Sequence, residues 1–191
     1  MTETSPSRWS KSPEHPNSWV APADDPRYSG TDLTDERSTL LDYLDAYRLT
    51  LEMKCADLDA EQLARRSVPP STLSLLGLVR HMADVERGWF RRTMAGEDVP
   101  RRWVREGGRD DAFDQATGDP AQVAEAWEAW NNEVAFARDY VANADLEVRG
   151  TMRDGTQLQL REVIVHMIEE YARHCGHADL IRERIDGRVG G

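Results

Sequence analysis

The sequence predicts an all-α fold: a four-helix bundle with a long loop between its second and third helices and an extended N-terminal arm. Two features carry this. Four long stretches repeat apolar residues at three- and four-residue spacing, the period of a helix with one buried face. Between them fall the helix breakers, Pro69-Pro70, Gly96, Pro100, Gly107-Gly108 and Gly118. A chain of 191 residues suits one such domain plus a tail.

Residues 1–30 are rich in Ser, Pro and Asp, and Trp9, Trp19 and Tyr28 are too sparse to form a core. They read as an extended, partly disordered arm, with the bundle domain spanning 31–187. The first helix is expected over Thr34–Leu58, with Leu40, Leu41, Leu44, Tyr47 and Leu51 on its inner face. Thr34 offers an N-cap and Asp35-Glu36 an acidic first turn. A brief helix over 59–64 precedes the Pro69-Pro70 break.

The second helix starts at Ser71 or Thr72 and runs to Ala95, with Leu76, Val79, Met82, Val85 and Phe90 inward and Gly96 as its stop. Residues 97–119 form a long charged loop that Trp103 and Phe113 are placed to pin. Asp119-Pro120 opens the third helix, a cap followed by proline at the first helical position, and it extends to Asn143. Asp154-Gly155 marks a turn, in either a small hairpin or a loop. The fourth helix covers Leu158–Ile185.

The formal net charge of -11 argues against a general nucleic-acid binder and against docking on anionic lipid. Neither a signal peptide nor a long apolar span is legible, so a cytoplasmic protein is expected. Cys55 and Cys175 have no CxxC spacing and suit a reducing compartment. The only lysines are Lys11 and Lys54, a bias typical of a GC-rich bacterial genome.

Four of the five histidines fall in the second and fourth helices. The fourth helix carries His166, Glu170, His174 and His177 at steps of four, four and three residues. At about 100° per residue, such side chains drift slowly around one face. Buried unpaired, each would cost at least about 1–3 kcal/mol. An ion, a hydrogen-bond network or a water-filled cleft must therefore compensate. His81, among Leu78, Met82 and Val85 of the second helix, points the same way. Imidazole and carboxylate suit zinc and similar divalent ions, and three ligands leave a fourth position open. Taken singly, His166 reads as a surface or hydrogen-bonded histidine, and Glu170 as a solvated charge.

HMADVERGWF in the second helix and EEYARHCGHADLIRE in the fourth resemble the DinB/YfiT-like superfamily of metal-binding four-helix bundles. The likeness covers residues 34–185. The second-helix stretch and the Trp-containing third helix are most similar to an actinobacterial branch of that superfamily. The His, Glu, His set resembles that of the mycothiol-dependent maleylpyruvate isomerase branch. By that resemblance the metal ligands are His81, Glu170 and His174. The ion is zinc, with nickel as the alternative. The implied activity is transfer of a small thiol such as mycothiol to a small electrophile. His177 is then the candidate catalytic acid/base, unless it serves as an extra ligand or an outer donor. Asp84, and after it Glu86, would orient His81; Arg80 or Arg173 would hold a carboxylate. A non-catalytic metal-stabilised or stress-related module and a metal-dependent hydrolase are the competing readings. Related bundles pair as homodimers, and Trp127 and Trp130 offer a face for this, although burial within one chain accounts for them equally.

Overall fold

The computed structural model describes residues 19–28, 30, 32–104 and 111–190. Residues 1–18 of the expected arm, with Trp9 and His15, and residues 105–110 of the expected loop lie outside the described residues. The four long helices are α1 (Glu36–Cys55), α3 (Leu75–Glu86), α5 (Pro120–Asn143) and α6 (Leu160–Asp186). Short helices α2 (Ala60–Ala64) and α4 (Asp111–Asp114) lie in the connections. Strands β1 (Arg149–Thr151) and β2 (Gln157–Gln159) pair antiparallel, with Gly150 opposite Leu158. The fold is thus all-α, and the 146–159 region is a hairpin rather than a loop.

Local chemistry sets the helix starts. Asp35, not Thr34, caps α1, because its carboxylate accepts from Ser38 N–H at 2.8 Å while its own N–H donates to Ser38 Oγ at 3.3 Å. The second long helix begins at Leu75, four residues later than Ser71, because Ser74 Oγ accepts the Gly77 N–H at 3.1 Å. Asp119 caps α5 at Ala121 N–H, 2.9 Å, with Pro120 behind it. Gly187, with φ +75°, closes α6 in the left-handed conformation.

Beyond Glu86 the second long helix continues as a π-helical segment, Arg87–Met94. Such bulges are frequent at functional sites. Arg87 and Arg91 both turn to Glu133 of α5, at 2.6 and 2.5 Å. Arg102 lies 3.7 Å from the same carboxylate.

Packing joins α1 to α6 and α3 to α5, with α3 also against α6. Within the apolar core one polar chain takes a residue from each long helix. Arg48 of α1 grips Glu86 of α3 with two hydrogen bonds of 2.8 Å. Tyr171 of α6 donates to Glu86 at 2.7 Å, and Trp130 of α5 donates to Tyr171 at 2.9 Å. Burial and the Glu86 charge push the Tyr171 hydroxyl well above the usual tyrosine range, so it stays a donor. Trp130 is therefore spent inside the bundle, with Trp127 edge-on to it.

Both residues expected to pin the 97–119 loop dock. Trp103 is buried beneath the Arg80 guanidinium, 5.0 Å from the ring centre. Phe113 packs so closely on α3 that a Cβ on Gly77 would lie 2.6 Å from its ring. The hairpin docks the same way: a Cβ on Gly150 would meet the Thr93 carbonyl oxygen at 2.5 Å. Glycine there lets β1 lie directly on the π-helical segment.

Candidate metal centre

His81 on α3 and Glu170 and His174 on α6 converge, each offering one donor atom within 4.8 Å of the others. The i,i+4 spacing puts Glu170 Oε2 3.5 Å from His174 Nε2. Two vertices of a tetrahedron with bonds of about 2.1 Å are about 3.4 Å apart, so this pair already has the separation a shared ion requires. His81 closes the triangle from the facing helix, its ring centre 4.7 Å from that of His174. Phe113 covers the other side of His81, at 5.3 Å. Two imidazoles and a carboxylate form a donor set suited to zinc or a similar divalent ion. The residues present fit such a group.

The outer contacts separate the remaining histidines. His177 Nδ1 lies 3.3 Å from His174 Nδ1. One nitrogen of the His174 ring thus meets His177 and the other meets Glu170. In the tautomer that donates Nδ1–H to His177, His174 Nε2 is left available as a ligand. His166 approaches Glu170 from the opposite direction, Nε2 to Oε1 at 3.5 Å, and packs against Trp89 with the rings tilted and their centres 4.6 Å apart. The Glu170 carboxylate is therefore shared between two histidines, one oxygen to each.

A cleft of about 540 Å³ opens beside these groups. His81, Glu170 and His166 line it; His174 and His177 are not among its walls. Trp89, Val85 and Met152 supply apolar surface, and Arg92, Arg101 and Arg153 supply positive charge. A site with a few convergent polar groups in a cavity of this size fits a small molecule. His166 was read from the sequence as a surface or hydrogen-bonded histidine, and these arginines were not singled out; adjacency in the fold marks them.

Other expected roles fall differently. The two Asp84 oxygens accept the Arg102 and Trp103 N–H groups at 2.8 and 3.1 Å, tying down the loop at the cleft rim. Glu86 belongs to the core network. Arg80 is buried on Trp103, and Arg173 is exposed; neither lines the cleft. Both thiols are free and buried, and burial pushes Cys175 up to about 12 and Cys55 higher still. Burial thus disfavours the thiolate form of both near neutral pH. Among the described residues no helix is long and apolar enough to cross a membrane.

A family model described as MST, mycothiol-S-transferase, matches residues 39–187. That interval contains every residue of the triad. No curated protein and no solved structure matches the chain.

Proposed function

Since the chain belongs to the mycothiol-S-transferase family, we propose that it is a divalent-metal-dependent enzyme that joins a small thiol, mycothiol by family, to a small electrophile at the His81–Glu170–His174 centre. One observation carries the reading: three donors of two facing helices meet within 4.8 Å at the edge of a cleft of about 540 Å³. When bound, a divalent ion, zinc by the nature of the donors, lowers the pKa of a thiol and holds it as thiolate near neutral pH.

The chain's own residues do the rest. His81, Glu170 and His174 would hold the ion at the edge of the cleft. His166, the imidazole on the cleft wall, accepts the thiol proton at Nε2, and the Glu170 carboxylate 3.5 Å away stabilises the imidazolium. Sulfur then bonds to the electrophilic carbon, and the leaving group departs with its electron pair. His177 acts through His174 rather than on substrate, fixing the ligand's ring. The buried, neutral Cys55 and Cys175 do not compete for the electrophile. The apolar wall of Trp89, Val85 and Met152 receives the electrophile's carbon skeleton.

The test pairs metal content with turnover. Purified protein is expected to hold close to one equivalent of divalent metal by elemental analysis and to conjugate mycothiol to an aryl halide. His174→Ala should lose both, with its circular dichroism intact. A metal-free His174→Ala protein with wild-type turnover refutes the metal dependence. Full metal content with no conjugation across a panel of thiols and electrophiles favours the non-catalytic reading. Hydrolysis in place of conjugation points to water in the thiol's position.

A further inference from the structure

Of the arginines between Arg87 and Arg102, Arg87, Arg91 and Arg102 converge on the buried Glu133 carboxylate. Arg92 and Arg101 do not: both line the cleft, and Arg153, from the hairpin turn, joins them there. The construction that gathers them is specific. As neighbours on one helix, Arg91 and Arg92 point apart, so Arg91 reaches Glu133 while Arg92 faces the cleft. Gly150 allows β1 to touch Thr93 and Met94, which brings the Arg153 turn to the same rim.

The acids in the same walls are largely spoken for. Asp84 accepts two backbone N–H groups, and Glu97 pairs with Arg91 at 3.2 Å. Glu170 is committed to His166 and His174. Asp98 is exposed and draws on Arg92 only at a distance. Burial first, then the positive charges of Arg153 and Arg101, hold the Arg92 guanidinium below its ordinary pKa. Three like charges collected in one concavity repel one another, and an anion relieves that repulsion.

We propose that Arg92, Arg101 and Arg153 form an anion subsite in the cleft, which takes a carboxylate or sulfonate carried by the electrophilic co-substrate. This rests on the S-transfer reading and adds a substrate class to it. Guanidinium forks match planar carboxylates and sulfonates with paired hydrogen bonds, which a thiol or a neutral sugar-like group would not use. With Trp89 and Val85 in the same wall, the electrophile the cleft fits best is a flat, apolar body with one acidic substituent.

Two measurements on the metal-loaded full chain decide it. The first compares a chlorodinitrobenzoate with the matching chlorodinitrobenzamide. In both, thiolate sulfur bonds to the ring carbon bearing chlorine and chloride leaves with the bonding pair; dividing each kcat/KM by its uncatalysed rate removes the difference in ring activation, so the corrected ratio reports the charge. Wild-type corrected kcat/KM should favour the benzoate by about tenfold, and the ratio should fall toward one in an Arg92→Gln/Arg153→Gln variant, whatever the absolute rates. The second is calorimetric titration with propanedisulfonate, a poor zinc ligand. Binding should weaken at least about tenfold in the same variant but not in Arg184→Gln, which removes charge at the far end of α6. Conjugation of both aryl halides at equal corrected kcat/KM, with a ratio the variant does not move, overturns the subsite while leaving S-transfer intact. Failure to conjugate either one overturns the S-transfer reading instead, and the titration then decides the subsite alone. Disulfonate binding equal in wild type and variant rejects it.

Discussion

Glu170 faces a histidine with each oxygen, and the two histidines sit in different surroundings. His174 is largely buried, with 12 % of its side chain exposed; His166 is 38 % exposed and stands at the cleft. The sequence marked His177 as the acid/base, but in the fold it touches His174 Nδ1 and is absent from the cleft walls. A residue that acts by orienting a ligand should change metal affinity before it changes chemistry. His177→Ala is therefore expected to weaken metal binding about 10- to 100-fold, with turnover restored by saturating metal. Competition against a chromophoric chelator measures the first, and kcat at rising metal concentration the second. Unchanged metal affinity, together with a lost limb in the pH–rate profile, would return His177 to acid/base duty.

At the scale of elements, the four long helices were legible because periodicity reports which face is buried. The expected starts and ends differ from the observed ones by one to four residues, wherever a cap outcompeted its neighbour, as Asp35 did Thr34 and Ser74 did Ser71. The three residues that converge were named through the family resemblance; spacing alone offered four groups on the fourth helix and one facing histidine. The π-helical segment was not legible: its extra residue per turn is imposed by long-range partners such as Glu133, which local periodicity does not encode. For the same reason the division of Arg91 from Arg92 was invisible, and so was the Arg48–Glu86–Tyr171–Trp130 chain, each member of which looks unremarkable in its own helix. That chain sets how the four helices register. Removing Glu86 alone leaves Arg48, 3 % exposed, with only the half-exposed Asp45 carboxylate one turn away at 3.0 Å. Glu86→Ala should cost about 3–5 kcal/mol, whereas an Arg48→Met/Glu86→Leu pair should cost far less. Urea unfolding of the three proteins checks this. Equal losses in the single and double variants would mean that the network contributes little beyond its packing volume.

Across the whole molecule, the arm and the end of α6 close on each other. Trp19, expected to lie in a loosely held arm, is 1 % exposed. Its ring has Lys54 at 4.8 Å, Arg182 at 4.8 Å and Arg188 at 3.6 Å, and its indole N–H donates to the Gly190 carbonyl at 3.1 Å. Lys54 comes from the end of α1, and Arg182 and Arg188 from the end of α6 and just beyond, so one side chain ties three separate stretches. Arg182 also donates to the Lys54 and Ala56 carbonyls, which brings its charge into the cluster whether or not the indole is present. Without the indole, Lys54, Arg182 and Arg188 would face one another across a cavity. A domain boundary at residue 30 would separate Trp19 from the unit it stabilises, and we propose instead that residues from 19 onward unfold with the bundle. Trp19→Ala should then lower Tm by about 10 °C, combining the loss of a buried aromatic with a slope of roughly 2–4 °C per kcal/mol for a chain of this size. The metal centre lies elsewhere on α6, so metal content should stay at the wild-type value in the same preparation. A differential scanning calorimetry trace that shifts by less than about 1 °C would show the arm to be an appendage whose docking adds nothing to the stability of the bundle.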